Sequence, residues 1–224
     1  MPFLSRILLA LVFGVPAGLW AQVTIAYSVP VGATSNQFIS NPLGLDFDVN
    51  RPVYVVSVGV FDSGQDGLAF SHVVRIYDRN TQASVVMETI PAGTAAALTD
   101  GSRFVALAVP FLLPAGFQGS IVAEINVTDG NGNTHGGAGV SLQNDGGGAL
   151  TFVGGGRVSD NGPGVYPLRL DGGPANRYLA GTFAFTAVPE PSAVALLGFG
   201  LAIAGVGAGC RRRKLAAPQN QAAR

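Results

Sequence analysis

Across residues 43–186 the apolar residues come in short runs of Val, Ile, Leu, Phe and Tyr, and each run is soon cut off by Gly, Asn, Asp or Pro. Runs this short cannot build helices that bury a face, and their punctuation is that of strands and turns. Seven segments stand out as strands: 43–49, 53–61, 73–78, 84–90, 104–111, 120–127 and 177–186. With no convincing amphipathic helix among them, they predict an all-β domain, an antiparallel two-sheet sandwich of jelly-roll type. The run Val53-Tyr-Val-Val-Ser-Val-Gly-Val-Phe61 is apolar on both faces and is predicted to lie centrally in its sheet, with Pro52 tolerated as its opener.

Composition sets limits on partners. Only 12% of the 224 residues are charged, against 48% hydrophobic. The net charge of zero hides a segregation: of thirteen basic residues, Arg6 lies near the start and Arg211, Arg212, Arg213, Lys214 and Arg224 near the end. The middle keeps seven arginines and no lysine against the carboxylates, so it is acidic. Without a basic stripe to neutralise phosphates, nucleic acid is disfavoured and not expected as a partner, whereas divalent cations and neutral sugars remain. The one cysteine, Cys210, stands beside the terminal basic cluster, so the domain must fold without a disulfide of its own.

Both ends look like processing segments. Met1 to Arg6, the apolar stretch from Ile7 to Val15, and then Pro16 and Gly18 read as a secretory signal peptide over 1–21, cleaved after Ala21. An uncleaved anchor is the alternative, disfavoured by the short apolar span and Pro16. Near the other end, residues 192–209 form a Gly/Ala-rich apolar segment, about 27 Å long as a helix, enough to cross a bilayer core. Arg211-Arg212-Arg213-Lys214 follows at once, a membrane stop that keeps its own end cytoplasmic. Both ends therefore place the domain between them outside the cytoplasm.

Immediately before the apolar segment stands Val188-Pro189-Glu190-Pro191-Ser192. The two prolines fix φ on both sides of Glu190, remove two backbone donors and favour an extended peptide suited to an enzyme groove. This order of Pro-Glu-Pro, Gly/Ala-rich span and arginine cluster, over 188–214, resembles the PEP-CTERM sorting signal. The resemblance implies that exosortase, a multi-spanning membrane protein similar to a cysteine-dependent transpeptidase, recognises Pro189, Glu190, Pro191 and Ser192 and removes the tag at or near them. The chain is then a substrate and not a catalyst. The same resemblance implies a Gram-negative host that makes exopolysaccharide.

Part of the body also resembles a domain found among PEP-CTERM substrates. Gly59 to Leu68 followed by Ser71-His72-Val-Val-Arg-Ile-Tyr-Asp78 matches its strand, Asp/Gly turn and second strand, with Tyr77 where tryptophan is usual. Asn176 to Phe183 matches its closing strand. No biochemical activity comes with this resemblance.

Residues with chemistry to offer are few. Asp62 and Asp66, with Gly64 and Gly67, are candidate Ca²⁺ ligands in one turn, but a tight inter-strand turn is the favoured reading because no third carboxylate is near in sequence. Asp129-Gly-Asn131-Gly-Asn133 begins like a calcium loop, yet Val140 stands where the bidentate Glu belongs. His72 is expected to fix a strand entry by hydrogen bonding and His135 to be exposed in its Gly/Asn loop; neither has the spacing of a zinc or iron site. The body holds no G-x-S-x-G element and no cysteine nucleophile. Gly146 to Gly148 and Gly154 to Gly156 lack the Lys-Ser/Thr pair of a phosphate loop.

The sequence thus predicts a signal peptide over 1–21, a β-sandwich ectodomain over 22–187, a PEP-CTERM signal over 188–214 and a short cytoplasmic tail over 215–224. It predicts no enzyme and no cofactor, Ca²⁺ being the one ion left open. The expected partners are exosortase, the membrane through 192–209, and exopolysaccharide. The expected role is structural or adhesive, at the inner membrane first and at the cell surface or outside the cell after processing. A carbohydrate- or calcium-binding module is the alternative, ahead of a secreted hydrolase.

Overall fold

The computed structural model describes residues 22–30, 32–36, 41–125, 141–172 and 179–188. The predicted signal peptide, the apolar segment 192–209 and the tail lie outside them. Among the described residues there is no helix, and hence none long and apolar enough to cross a membrane.

Thirteen strands run in order: β1 (Val23–Ile25), β2 (Tyr27–Ser28), β3 (Leu43–Val49), β4 (Val53–Phe61), β5 (His72–Asp78), β6 (Ser84–Ile90), β7 (Ala97–Thr99), β8 (Ser102–Leu113), β9 (Gln118–Glu124), β10 (Leu142–Gln143), β11 (Leu150–Val158), β12 (Arg169–Leu170) and β13 (Gly181–Ala187). They form a five-stranded sheet ordered β1-β13-β4-β8-β7, a six-stranded sheet ordered β12-β11-β3-β9-β5-β6, and the small pair β10-β2. Every pairing is antiparallel. β4 lies third of five, the central place its two-sided apolarity predicts.

The two large sheets face each other through one apolar core. Leu43, Leu45, Phe47 and Val49 of β3 and Ile121 and Ala123 of β9 supply one side; Val53, Val55, Val58 and Val60 of β4 and Phe183 and Phe185 of β13 supply the other. The period of two puts these residues on one face of each strand, and in β4 the register shift between Val55 and Ser57 brings Val58 and Val60 back to the face of Val53 and Val55. Phe47 and Phe183 meet across the gap with ring centroids 4.8 Å apart, and Tyr27 closes an edge against Phe152 at 4.7 Å. Room for the Phe47 ring comes from Gly119 directly opposite in register, where a Cβ would stand 2.3 Å from that ring.

Several strands differ from their predicted bounds. β8 is longer than 104–111; β9 begins two residues before 120 and ends at Glu124, with 126–127 outside the described residues. β13 starts at Gly181, with Leu179 and Ala180 buried in the core just ahead of it and 177–178 outside the described residues. β11 is not anticipated at all. Its Gly154-Gly155-Gly156 run carries no strand signal, but the register against β3 jumps between Val153 and Gly156, so the extra glycines form a bulge inside a strand. Gly154 has φ of +68°, a conformation that L side chains resist.

Candidate functional site

The sorting residues Pro189, Glu190, Pro191 and Ser192, the basic stop Arg211 to Lys214, and Asp129 lie outside the described residues. What the structure shows is how the chain approaches the tag. β13 is paired on one side with β4 through Ala187↔Val53 and on the other with β1 through Thr186↔Val23. One residue later the Val188 amide donates to the Pro52 carbonyl at 2.9 Å. The chain is therefore hydrogen-bonded into the sheet up to the residue before Pro189.

The Asp62 turn takes the form of an inter-strand turn. Asp62 is fully buried, and its backbone carbonyl accepts from the Gln65 amide at 3.1 Å. Its carboxylate accepts from the Gly67 amide at 3.2 Å and from Arg103 Nε at 2.7 Å. Gly64 and Gly67 take φ of +85° and +112°, as a turn of this kind requires. Arg103 also donates to the carbonyls of Thr94, Ala96 and Gln65, so one guanidinium ties β8 to both loops. Asp66, by contrast, is exposed. The negative charge of Asp62 is thus already matched by a buried cation. The spacing alone did not reveal Arg103, which lies 41 residues away.

A second polar centre, invisible in the sequence, lies on the outer face of the six-stranded sheet. Asp46 points away from the core, between Leu45 and Phe47, and is only 5% exposed. Its carboxylate accepts from Arg157 Nε at 2.6 and 2.8 Å and from the Ser120 hydroxyl, with Arg79 Nη1 at 3.8 Å. Arg79 also pairs with Asp48, and Arg75 Nε pairs with Glu124 at 2.9 Å. The loop after β11 folds over this layer: Arg157 lies 5.2 Å above the Tyr166 ring, Tyr166 stacks edge-on against Tyr77 at 5.4 Å, and the Gly164 amide donates to Glu124 at 2.8 Å. Beneath, the Tyr27 hydroxyl donates to the Asp46 carbonyl at 3.2 Å. Burial drives the Tyr27 phenol well above its usual pKa, with Asp46 adding to the rise and Arg79 opposing it. Burial raises Tyr77 too, opposed by Arg75 and helped by Glu124.

His72 opens β5 as expected, buried, with Nδ1 3.1 Å from the Glu124 carbonyl. His135 is outside the described residues. Among the described residues no three His, Cys, Asp or Glu side chains converge in a metal-binding group.

The molecule thus defined is an antiparallel β domain whose last strand passes directly into a C-terminal tag. That tag is identified: residues 187–214 match the family model described as the PEP-CTERM protein-sorting motif. The motif implies an exported protein that exosortase recognises and sorts. No curated protein and no solved structure gives a significant match to the chain.

Proposed function

We propose that this chain is an exported cell-envelope or extracellular-matrix protein whose β domain has a non-enzymatic, structural or adhesive role linked to exopolysaccharide or biofilm. The observation that carries the reading is the PEP-CTERM match over 187–214. Residues 1–21 start export, 192–209 hold the chain in the inner membrane, and Arg211, Arg212, Arg213 and Lys214 stop translocation. Pro189-Glu190-Pro191 then offers exosortase an extended peptide, and processing sends the domain to the cell surface or beyond.

The domain itself is a jelly-roll-like sandwich in this reading, with its first and last strands paired as β1 and β13. Its described arginines serve the fold: Arg75, Arg79, Arg103, Arg157 and Arg169 each pair with a carboxylate of the same domain, and Arg51 donates to the Gly147 carbonyl at 2.8 Å. A sugar-binding platform on the six-stranded sheet is not favoured, because Tyr77 and Tyr166 are stacked on each other and only 3% and 6% exposed. The test is expression with and without a cognate exosortase. The expected result is a shorter form, lacking the tag, only when exosortase is present, and cosedimentation of that form with the host exopolysaccharide. Identical size in both hosts contradicts the sorting route; release without polysaccharide association contradicts the proposed role.

A further inference from the structure

The two outer faces of the domain differ in chemistry. The six-stranded sheet turns outward the ion pairs around Asp46, Arg79, Arg157 and Glu124. The five-stranded sheet does the opposite. Val53, Val55, Val58 and Val60 of β4 belong to the core, so Tyr54 and Ser57 lie on the other face. Residues opposite each other in register share a face, and this gives two rows across the sheet. The first row is Val23, Thr186, Tyr54 and Leu112; the second is Ile25, Ala184, Ser57 and Ala106. Neither row contains a charge. In the first, Val23, Tyr54 and Leu112 are 56%, 41% and 45% exposed. Next to them β8 loses register with β4 between Val55 and Ser57, and in that bulge Val109 stands 77% exposed.

The position of the first row in the chain indicates its occupant. Thr186 is two residues before Val188, whose amide holds to Pro52, and the apolar segment begins at Ser192. At about 3.3–3.6 Å per residue, the intervening chain keeps that segment's start within roughly 20 Å of Thr186. A tether this short gives the row a high effective concentration at the surface into which the segment inserts. Tyr, Val and Leu without charge suit the boundary between headgroups and acyl chains, where a tyrosine ring buries its body and keeps its hydroxyl wet. A second copy adding a strand to this edge is a poorer occupant. Beyond the Ser102 to Phe104 pairing with β7 the outer edge of β8 lacks a strand partner among the described residues, but Pro110 removes a donor there and the bulge breaks the ladder.

We infer that the outer face of the five-stranded sheet, centred on Val23, Tyr54 and Leu112, lies on the lipid surface while the tag holds the chain in the membrane. This rests on the reading of 192–209 as a membrane span. The test uses the full chain in vesicles, with Cys210→Ser to remove the native thiol and an environment-sensitive fluorophore on Leu112→Cys, or on Val109→Cys should the first variant lose its β-type circular dichroism. Met87→Cys on the charged sheet serves as the comparison, Met87 being 56% exposed. The expected result is blue-shifted emission at Leu112 that spin-labelled lipid quenches, with Met87 unshifted and unquenched. Carbonate extraction separates the two ways to fail. A chain that leaves the vesicles overturns the span and the face assignment together. A retained chain whose Leu112 label is unquenched, or is protected only by a second copy of the chain, overturns the face assignment alone.

Discussion

At the scale of single residues, the buried charges of this lysine-free domain are matched in pairs. Arg103 and Asp62 are 7% and 0% exposed, and removing one partner of such a pair costs about 3–5 kcal/mol because the other charge is left buried and alone. Asp62→Ala should therefore take a large share of the stability, and Arg103→Met combined with Asp62→Ala should lose less than the two single changes summed, as read from urea midpoints. Additive losses would show that the pair is not coupled. The same geometry predicts that Ca²⁺ leaves the melting temperature unchanged, since the Asp62 carboxylate already has its cation; a rise abolished by Asp66→Ala would reassign the turn as a metal site. Tyr27 gives a pH prediction. Below about pH 10 the phenol is protonated in both folded and unfolded chains. Above it the unfolded chain ionises first while the buried phenol keeps its proton, so the folded state binds more protons and stability falls as pH rises. Tyr27→Phe should lose about 0.5–1.5 kcal/mol near neutrality with the Asp46 hydrogen bond, yet decline less steeply in alkali than the parent. An equally steep decline would assign the alkaline loss to other groups.

At the scale of strands, the sequence was readable where one residue type carried the message. β3, β4 and β6 have the bounds that their Val/Ile/Phe runs predict; Pro42 and Asn50 close β3, Pro52 and Asp62 close β4, and Pro91 ends β6. A run of consecutive glycines inside a strand, unlike the single Gly44 of β3 or Gly59 of β4, hides the strand from the sequence. Gly154 to Gly156 belongs to a strand only through its bulged pairing with β3, and pairing between segments so far apart leaves no trace in local composition. Short strands such as β7 escaped for another reason: they exist through a turn, here Asp100-Gly101 with φ of +46° and +79°, the two-residue hairpin geometry that Asp-Gly favours. Gly119 makes the converse point, an interior glycine kept for space. Gly119→Ala should cost about 1–3 kcal/mol by forcing the Phe47 ring aside, and the double variant with Phe47→Leu should recover part of that loss in thermal melts. No recovery would mean that the glycine serves the backbone and not the ring.

At the scale of the whole molecule, the sorting tag is legible because its information is contiguous: Pro-Glu-Pro, an apolar segment and a basic cluster, all within residues 187–214. The Asp46 centre was not, because it joins Asp46 to Arg157 across 111 residues and acquires its form only when β3, β9 and β11 lie side by side. The domain and the tag thus divide the work, one supplying a stable body and the other its destination. At issue is whether Pro189, Glu190 and Pro191 are read as a processing signal or serve merely as a linker. The most direct measurement is the size and membrane partition of a Pro189→Ala, Glu190→Ala, Pro191→Ala variant in an exosortase-containing host, with span and basic cluster intact. The expected result is an unprocessed, membrane-held chain with its β domain still folded. Processing and release at the level of the parent would contradict it.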